Sequence, residues 1–327
     1  MKKRYRAILV VLGIMVLATV GYHGVRQLSY ASKERAGVAF HSMFPTVIST
    51  FFPNIDSPWF CSPGEFFEDG SFACVENRQS HGLFQLNYRF PLIRRIGREE
   101  FHLGDLRADI SFGELRSLEV PSAIMSRGFQ PIWYPKSERN NFATKGFERL
   151  EQLPETTMIE AFISFAMLKT LPETFEAFGG RLLSLDWVAV YSGQADHAQV
   201  GFLWGNGFRR ELREASDFWC GREGDFFVQQ EQRFICNMEF LKERADILNQ
   251  FPMLRLAGVD TFIHAFDFEA LLKEVSQNGV RIPGIVVSGP RNELLALEGA
   301  DWISRIEVNS VAILDGWTEY DVVWVPE

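Results

Sequence analysis

Leu271 to Ile313 reads LLKEVSQNGVRIPGIVVSGPRNELLALEGADWISRIEVNSVAI, and the way its pattern changes decides the fold class. Phe268 to Gln277 is predicted as a helix, closed by Asn278-Gly279 as its C-cap, because glycine enters a left-handed conformation without steric cost. The run Val280 to Pro290 follows. Its Ile285-Val286-Val287 is apolar and β-branched, the signature of a core strand buried on both faces. Gly289-Pro290 can turn the chain at the strand end, since Pro290 disfavours helix at Gly289. Asn292 to Leu297 is a predicted short helix, with Glu293 suited to its positive N-terminal end. Ile303 to Leu314 is a final strand or strand pair.

The same alternation extends upstream. Met158 to Phe165 (MIEAFISF) is a predicted strand. Leu168 to Phe178 is a helix, with Pro172 tolerated only near its first turn. Leu185 to Tyr191 is a second strand, ended by Ser192-Gly193. A long irregular insertion at about 200–236 contains Cys220 and Cys236, and Glu239 to Asn249 is helical. Strands alternating with helices in this order imply an α+β or α/β sandwich with one helical layer; we take the class as α+β. No repeat of solenoid period is present. A polar, turn-rich stretch, Ile132 to Asn141, separates this unit from an earlier one. There, Met43 to Gly104 is rich in Phe, Pro, Gly and Ser. Leu83 to Phe90 alternates apolar and polar residues, as half-buried strands do. Pro53, Pro58, Pro63 and Pro91 punctuate it. This part reads as a small, loop-rich β region.

At the N-terminus, Lys2, Lys3, Arg4 and Arg6 precede an uncharged apolar run. As a helix, the run from Ala7 to Gly24 would extend roughly 27 Å, close to the ~30 Å hydrocarbon core of a bilayer. The basic flank keeps the N-terminus in the cytosol and puts the bulk outside the cell membrane. A buried core helix is disfavoured by the absence of a polar face. A cleaved signal peptide is the competing reading, with Ser29-Tyr30-Ala31 as a small-x-small site before Ser32. The organisation expected is a stub at 1–6, a single transmembrane helix at 7–24, a juxtamembrane and β-rich region at 25–150, and the strand–helix domain at 151–327.

The leader carries +4 of a chain whose formal charge is −9, so the remainder is strongly acidic. That argues against nucleic-acid binding, which needs a basic patch. All four cysteines lie in the exported part, where oxidation is permitted. Three connectivities are open; pairing within Cys61/Cys74 and within Cys220/Cys236 is the simplest. No Cys-x-x-Cys or clustered His points to zinc.

A catalytic site is not evident. His23, His41, His81, His102, His197 and His264 are scattered, with no metal spacing. Ser192 and Ser288 sit at turns, outside any Gly-x-Ser-x-Gly elbow. Gly205-Asn206-Gly207 is a turn and not a phosphate cradle. The aromatic pairs Phe51-Phe52, Trp59-Phe60, Phe66-Phe67 and Phe226-Phe227, with Trp219, could line a groove, but core packing is the better reading. Neither a catalytic residue, a metal ligand nor a cofactor is expected.

The C-terminal run resembles the C-terminal domain of the sigma factor regulator family, bacterial membrane proteins often called anti-sigma factors. The positions that carry the resemblance are Asn278, Gly279, Gly284, Val286, Val287, Ser288, Gly289, Pro290, Glu293, Leu294 and Leu295, with Glu307 and Val308. Leu153-Pro154-Glu155-Thr156 leading into the Glu160-Ala161 strand is similar too, as is Trp187 to Gly193. The resemblance spans roughly 151–327. Turn chemistry alone accounts for this motif, so its residues are expected to have structural jobs.

The resemblance implies a non-enzymatic, membrane-anchored regulator of an extracytoplasmic-function sigma factor, or its envelope-signal-sensing partner. One departure bears on the mechanism. Members that hold a sigma factor do so through a segment before the membrane helix, and here six residues precede it. A stable interface takes about 20–30 residues a side. The expectation is that the true start lies upstream of Met1, or that the chain acts through a membrane protein partner and only indirectly on a sigma factor. An exported, non-catalytic binding protein without a transcriptional role is the alternative.

Overall fold

Two runs of alternating residues become two antiparallel sheets. The computed structural model describes residues 20–28, 43, 46–52, 54–56, 78–81, 85–96, 99–111, 114–119, 121, 142–179, 181–193, 200–204, 225–243, 245, 267–313 and 322–323. Among these, residues 20–28 are helical (α1) and exposed, and residues 46–51 form a second helix (α2). Within the described residues no helix is long and apolar enough to cross a membrane. Most of the span expected at 7–24, and the stub before it, lie outside them.

The first sheet contains β1 (Ile55–Asp56), β2 (Arg78–His81), β3 (Gln85–Ile96), β4 (Glu99–Ser111) and β5 (Glu114–Glu119). Its order is β1-β3-β4-β5, and β2 also pairs with β3. The strand expected at Leu83–Phe90 thus runs on to Ile96, through Pro91. β2 pairs with Gln85 to Tyr88 and β1 with Ile93 and Arg94. Pro91 lies between those two stretches, where a residue lacking an N–H is tolerated.

The second sheet has the order β11-β10-β6-β9-β7-β8. Its strands are β6 (Thr157–Lys169), β7 (Ser184–Val190), β8 (Val200–Leu203), β9 (Ile282–Pro290), β10 (Ile303–Ile313) and β11 (Val322–Val323). Every pairing is antiparallel. The class is therefore mixed α+β.

Side-chain alternation gives this sheet two distinct faces. Cross-strand register aligns Phe202, Val188, Ile285, Ile163 and Ile306 on the first face, all in the main core. The helical layer covers it: α3 (Phe142–Glu151), α4 (Leu171–Phe178), α5 (Phe226–Glu243), α6 (Phe268–Asn278) and α7 (Arg291–Leu295). Phe234 of α5 meets Phe202, and Phe178 of α4 meets Trp302, which also stacks edge-on against Phe165. On the second face Leu203, Trp187, Val286 and Phe162 line up. There the indole of Trp187 donates to the Ser49 carbonyl of α2 at 2.9 Å. The sheet is thus covered on both sides, by helices on one and by the earlier half of the chain on the other.

Three elements depart from expectation. The helix predicted from Leu168 starts at Leu171, because β6 continues to pair as far as Lys169, opposite Ile282. Thr170 then caps it in a reciprocal box with Glu173. The stretch at 200–236, expected to be irregular, supplies β8 and the first half of α5. The helix expected at Glu239–Asn249 begins instead at Phe226, where Asp225 accepts from the Val228 amide at 3.0 Å. Its buried positions, Gln230, Phe234, Met238 and Leu241, have helical spacing.

Candidate functional site: a buried polar row between the two halves

Two residues along from the apolar second-face row, the same sheet carries polar groups. Register places Ser184, Ser288, Glu160 and Ser310 side by side across β7, β9, β6 and β10. Glu160 is fully buried, as are Ser288 and Ser310. An ionised carboxylate in such a place persists only when hydrogen-bonded and faced by positive charge.

Three residues supply these contacts, two of them from local irregularities. In β10 the register shifts between Val308 and Ser310, leaving Asn309 as the extra residue of a bulge. Bulges re-aim side chains, and here the Asn309 amide donates to Glu160 Oε2 at 2.5 Å. Between α2 and β1, Asn54 adopts a positive φ of 54°, a conformation asparagine tolerates better than most residues. Its amide donates to Glu160 Oε1. From β3, Arg94 brings Nε to 3.8 Å from Glu160 Oε1 and donates through Nη1 to Ser310 Oγ at 3.1 Å. Asn54 and Arg94 are themselves buried. One carboxylate of the second sheet is thus gripped by two residues of the first half and one of its own sheet.

Of the family-motif residues, Ser288 falls within this row, opposite Glu160. The others lie elsewhere. Asn278 ends α6 and Gly279 caps it with φ 71°, its amide donating to the Val275 carbonyl at 2.8 Å. Gly284 pairs with Ser164, and Gly289 with Ile159. A Cβ on Gly289 would stand 2.6 Å from Leu183 Cδ2 and 2.9 Å from the Leu182 carbonyl, so the β9 backbone lies against that loop. Pro290 is the residue before α7. Glu293, in the first turn, accepts from the Leu182 amide at 3.4 Å, and Leu294 is buried. Arg291 donates to the carbonyls of Leu150 and Glu151, which end α3.

The remaining candidates are dispersed. Cys236 lies on α5; Cys61, Cys74 and Cys220 lie outside the described residues. His102 approaches Asp105 at 3.2 Å on the exposed side of the first sheet. Among the described residues, no group of three or more His, Cys, Asp or Glu is placed to hold a metal ion. Phe51 and Phe52 are core residues. Phe226 and Phe227 join Trp204 and Phe175 in an aromatic cluster. Charge is perturbed at three places away from the row. Burial, then Asp225, raises the Glu231 pKa. The Thr170 backbone and side-chain bonds lower that of Glu173. Burial, then Arg149, lowers that of Arg305.

The Glu160 network was missed in the sequence, although a signal was present. Met158-Ile159-Glu160-Ala161-Phe162-Ile163 holds one acid in a strand otherwise apolar on both faces. Such a residue requires buried partners, but nothing local identifies them: they come from positions 54, 94 and 309.

Comparison with known proteins follows the same division of the chain. Residues 150–310 match the family described as sigma factor regulator C-terminal. The probable anti-sigma-M factor YhdL of Bacillus subtilis (strain 168) is 21% identical over 216 residues, covering 65% of this chain. The chain spans 56% of the length of that relative. No solved structure matches. Residues 150–310, with the β6, β7 and β9 strands and most of the β10 strand that carry the resemblance, are accordingly a sigma factor regulator C-terminal domain.

Proposed function

We propose that the protein is a membrane-anchored regulator of an extracytoplasmic-function sigma factor, of the anti-sigma type, or the envelope-signal-sensing partner of one. The family match over residues 150–310 carries this reading, and a relative named as a probable anti-sigma factor supports it. The apolar run at 7–24 behind four basic residues supports a single-pass anchor with the N-terminus in the cytosol. In this reading the domain is non-catalytic and needs no cofactor. It responds outside the membrane, and a membrane protein partner carries the change to a sigma factor. The motif residues Asn278, Gly279, Gly284, Ser288, Gly289, Pro290, Glu293 and Leu294 shape the domain and bind no ligand. The cysteines pair as Cys61–Cys74 and Cys220–Cys236, in keeping with the absence of a free thiol at Cys236.

Deleting the gene and comparing transcriptomes in unstressed growth tests the reading. The expected result is a compact set of promoters rising together, as release of one sigma factor would produce. A coordinated fall would replace the negative role with an activating one. No coherent set would overturn the regulator and leave an exported binding protein.

A further inference from the structure

The Asn54 and Arg94 contacts of the Glu160 carboxylate cross from the C-terminal domain to the earlier half of the chain, while that of Asn309 stays within its own sheet. The Arg94–Ser310 and Trp187–Ser49 bonds cross in the same direction. The surroundings are apolar: Trp187, Val286 and Phe162 lie along the same face, and Ile93, Ile96 and Ile55 are buried beside Arg94 and Asn54. A buried ion pair typically adds no more stability than an apolar replacement of the same volume, because both charges must leave water. Its distinguishing property is that removing one partner is strongly destabilising. A junction built around such a pair is expected to open as a whole when either partner is lost.

We infer that Glu160 is the latch of a conformational device, holding residues 46–52 and 54–56 and the first sheet on the second face of the sigma factor regulator C-terminal domain. Its rupture frees the earlier half as a unit and leaves the C-terminal sheet intact. Two features mark the latch as built. The bulge at Asn309 costs the β6–β10 ladder its regular register in order to aim one amide at Glu160. The left-handed turn at Asn54 does the same from the other side. The sheet's own cohesion does not use these contacts: β6 is flanked by β9 and β10 through main-chain ladders whether or not the carboxylate is charged. An element with two discrete arrangements is what a signal can bias, and the half that would be released is the half nearer the N-terminus. The inference holds whether or not the chain acts on a sigma factor.

Hydrogen exchange on the full chain tests it, comparing wild type with Glu160→Gln, Arg94→Met and the double variant. Glu160→Gln is expected to speed exchange at residues 46–56 and in β3 by at least about tenfold, the scale set by loss of one partner of a buried pair. Amides at the centre of β9, Ile285 to Ser288, should not change. Arg94→Met should act on the same segments. The double variant should recover part of the lost protection, because neither charge is then left facing an apolar partner. Trp187→Phe keeps an aromatic side chain but removes the indole donor to Ser49 together with the five-membered ring of a fully buried residue, so it should show the same pattern at residues 46–52 and 54–56 at about threefold or more. Equal acceleration in β3 and β9 would overturn the latch, since Glu160 would then be an ordinary core residue. Unchanged exchange at 46–56 in both Glu160→Gln and Trp187→Phe would also overturn it, as would simple additivity in the double variant.

Discussion

The two sheets differ in what covers them. The C-terminal sheet has helices on one face and the earlier half of the chain on the other; its central strand β9 is buried from Ile282 to Gly289. The first sheet keeps much of its surface in water: Arg89, Arg107, Asp109 and Glu119 are exposed along β3, β4 and β5. Its ion pairs, Arg89 with Asp105 and Arg107 with Glu119, are solvent-facing on at least one side. In the covered sheet even the charge is internal. Stability should therefore be sensitive to single atoms in the C-terminal sheet and tolerant of side-chain loss in the first.

The largest expected effect is at Gly201. A Cβ there would stand 2.1 Å from the Val188 carbonyl and 2.3 Å from Trp187 Cζ2. Backbone cannot yield as a flexible side chain can, and Trp187 is fully buried. Gly201→Ala should lower unfolding free energy by about 3 kcal/mol, the upper end for overpacking. Urea unfolding measures it; a loss under about 1 kcal/mol would break the contrast by showing that the covered sheet can relax.

Legibility in the sequence divides along the same line. Where burial on both faces dictates residue type, as in Ile285-Val286-Val287, the strand is read from composition alone. The capped helix α6 is read from Asn278-Gly279. The ends of α4 and α5 are not, because a long pairing partner for β6 and a cap at Asp225 outweigh the local apolar pattern. Pro91 misleads for a related reason: whether a proline ends a strand depends on what lies on that edge, which is tertiary information. The polar row is the extreme case. Glu160 is visible as an anomaly, but its meaning rests on a bulge at Asn309 and a turn at Asn54 that no local pattern announces.

A smaller effect tests the helical cover. Thr170 caps α4, its hydroxyl accepting from the Glu173 amide at 3.4 Å, while Glu173 accepts from the Thr170 amide at 2.7 Å. Thr170→Ala should cost about 1 kcal/mol. The Glu173 pKa is lowered by these bonds. Its contribution is therefore present above the unfolded carboxylate value and lost as pH falls through the lower folded one. The difference between wild type and variant should narrow in acid by the share that the Thr170 hydroxyl gives the Glu173 carboxylate, while the hydroxyl's cap on the Glu173 amide, which does not titrate, leaves the rest; a difference that widened in acid would contradict the box.

The first sheet supplies the counterpart. Arg89 donates to Asp105 at 2.6 Å, but its side chain is 59% exposed. Arg89→Ala should cost under about 0.5 kcal/mol and less still in high salt, as exposed pairs do. A cost near that of Gly201→Ala would erase the distinction between the sheets.

The smallest expected effect has the opposite sign. Glu231 lies partly buried on α5, the helix that packs Phe234 against the C-terminal sheet, and burial raises its pKa, with the Asp225 charge adding to the rise. The folded state therefore disfavours the ionised form. The stability this group contributes is fully present below the unfolded value near 4.5 and is lost as pH rises through the higher folded pKa. At neutral pH the wild-type glutamate is a net cost, which Glu231→Gln removes. The variant should melt about one degree higher than wild type at pH 7, within the range of a modest surface gain. Below the ordinary carboxylate range both side chains are neutral and the two curves should meet. A gain that persisted in acid would arise from packing. A loss at pH 7 would mean that the carboxylate is needed on α5, and that the helical cover tolerates internal charge as the second face does at Glu160.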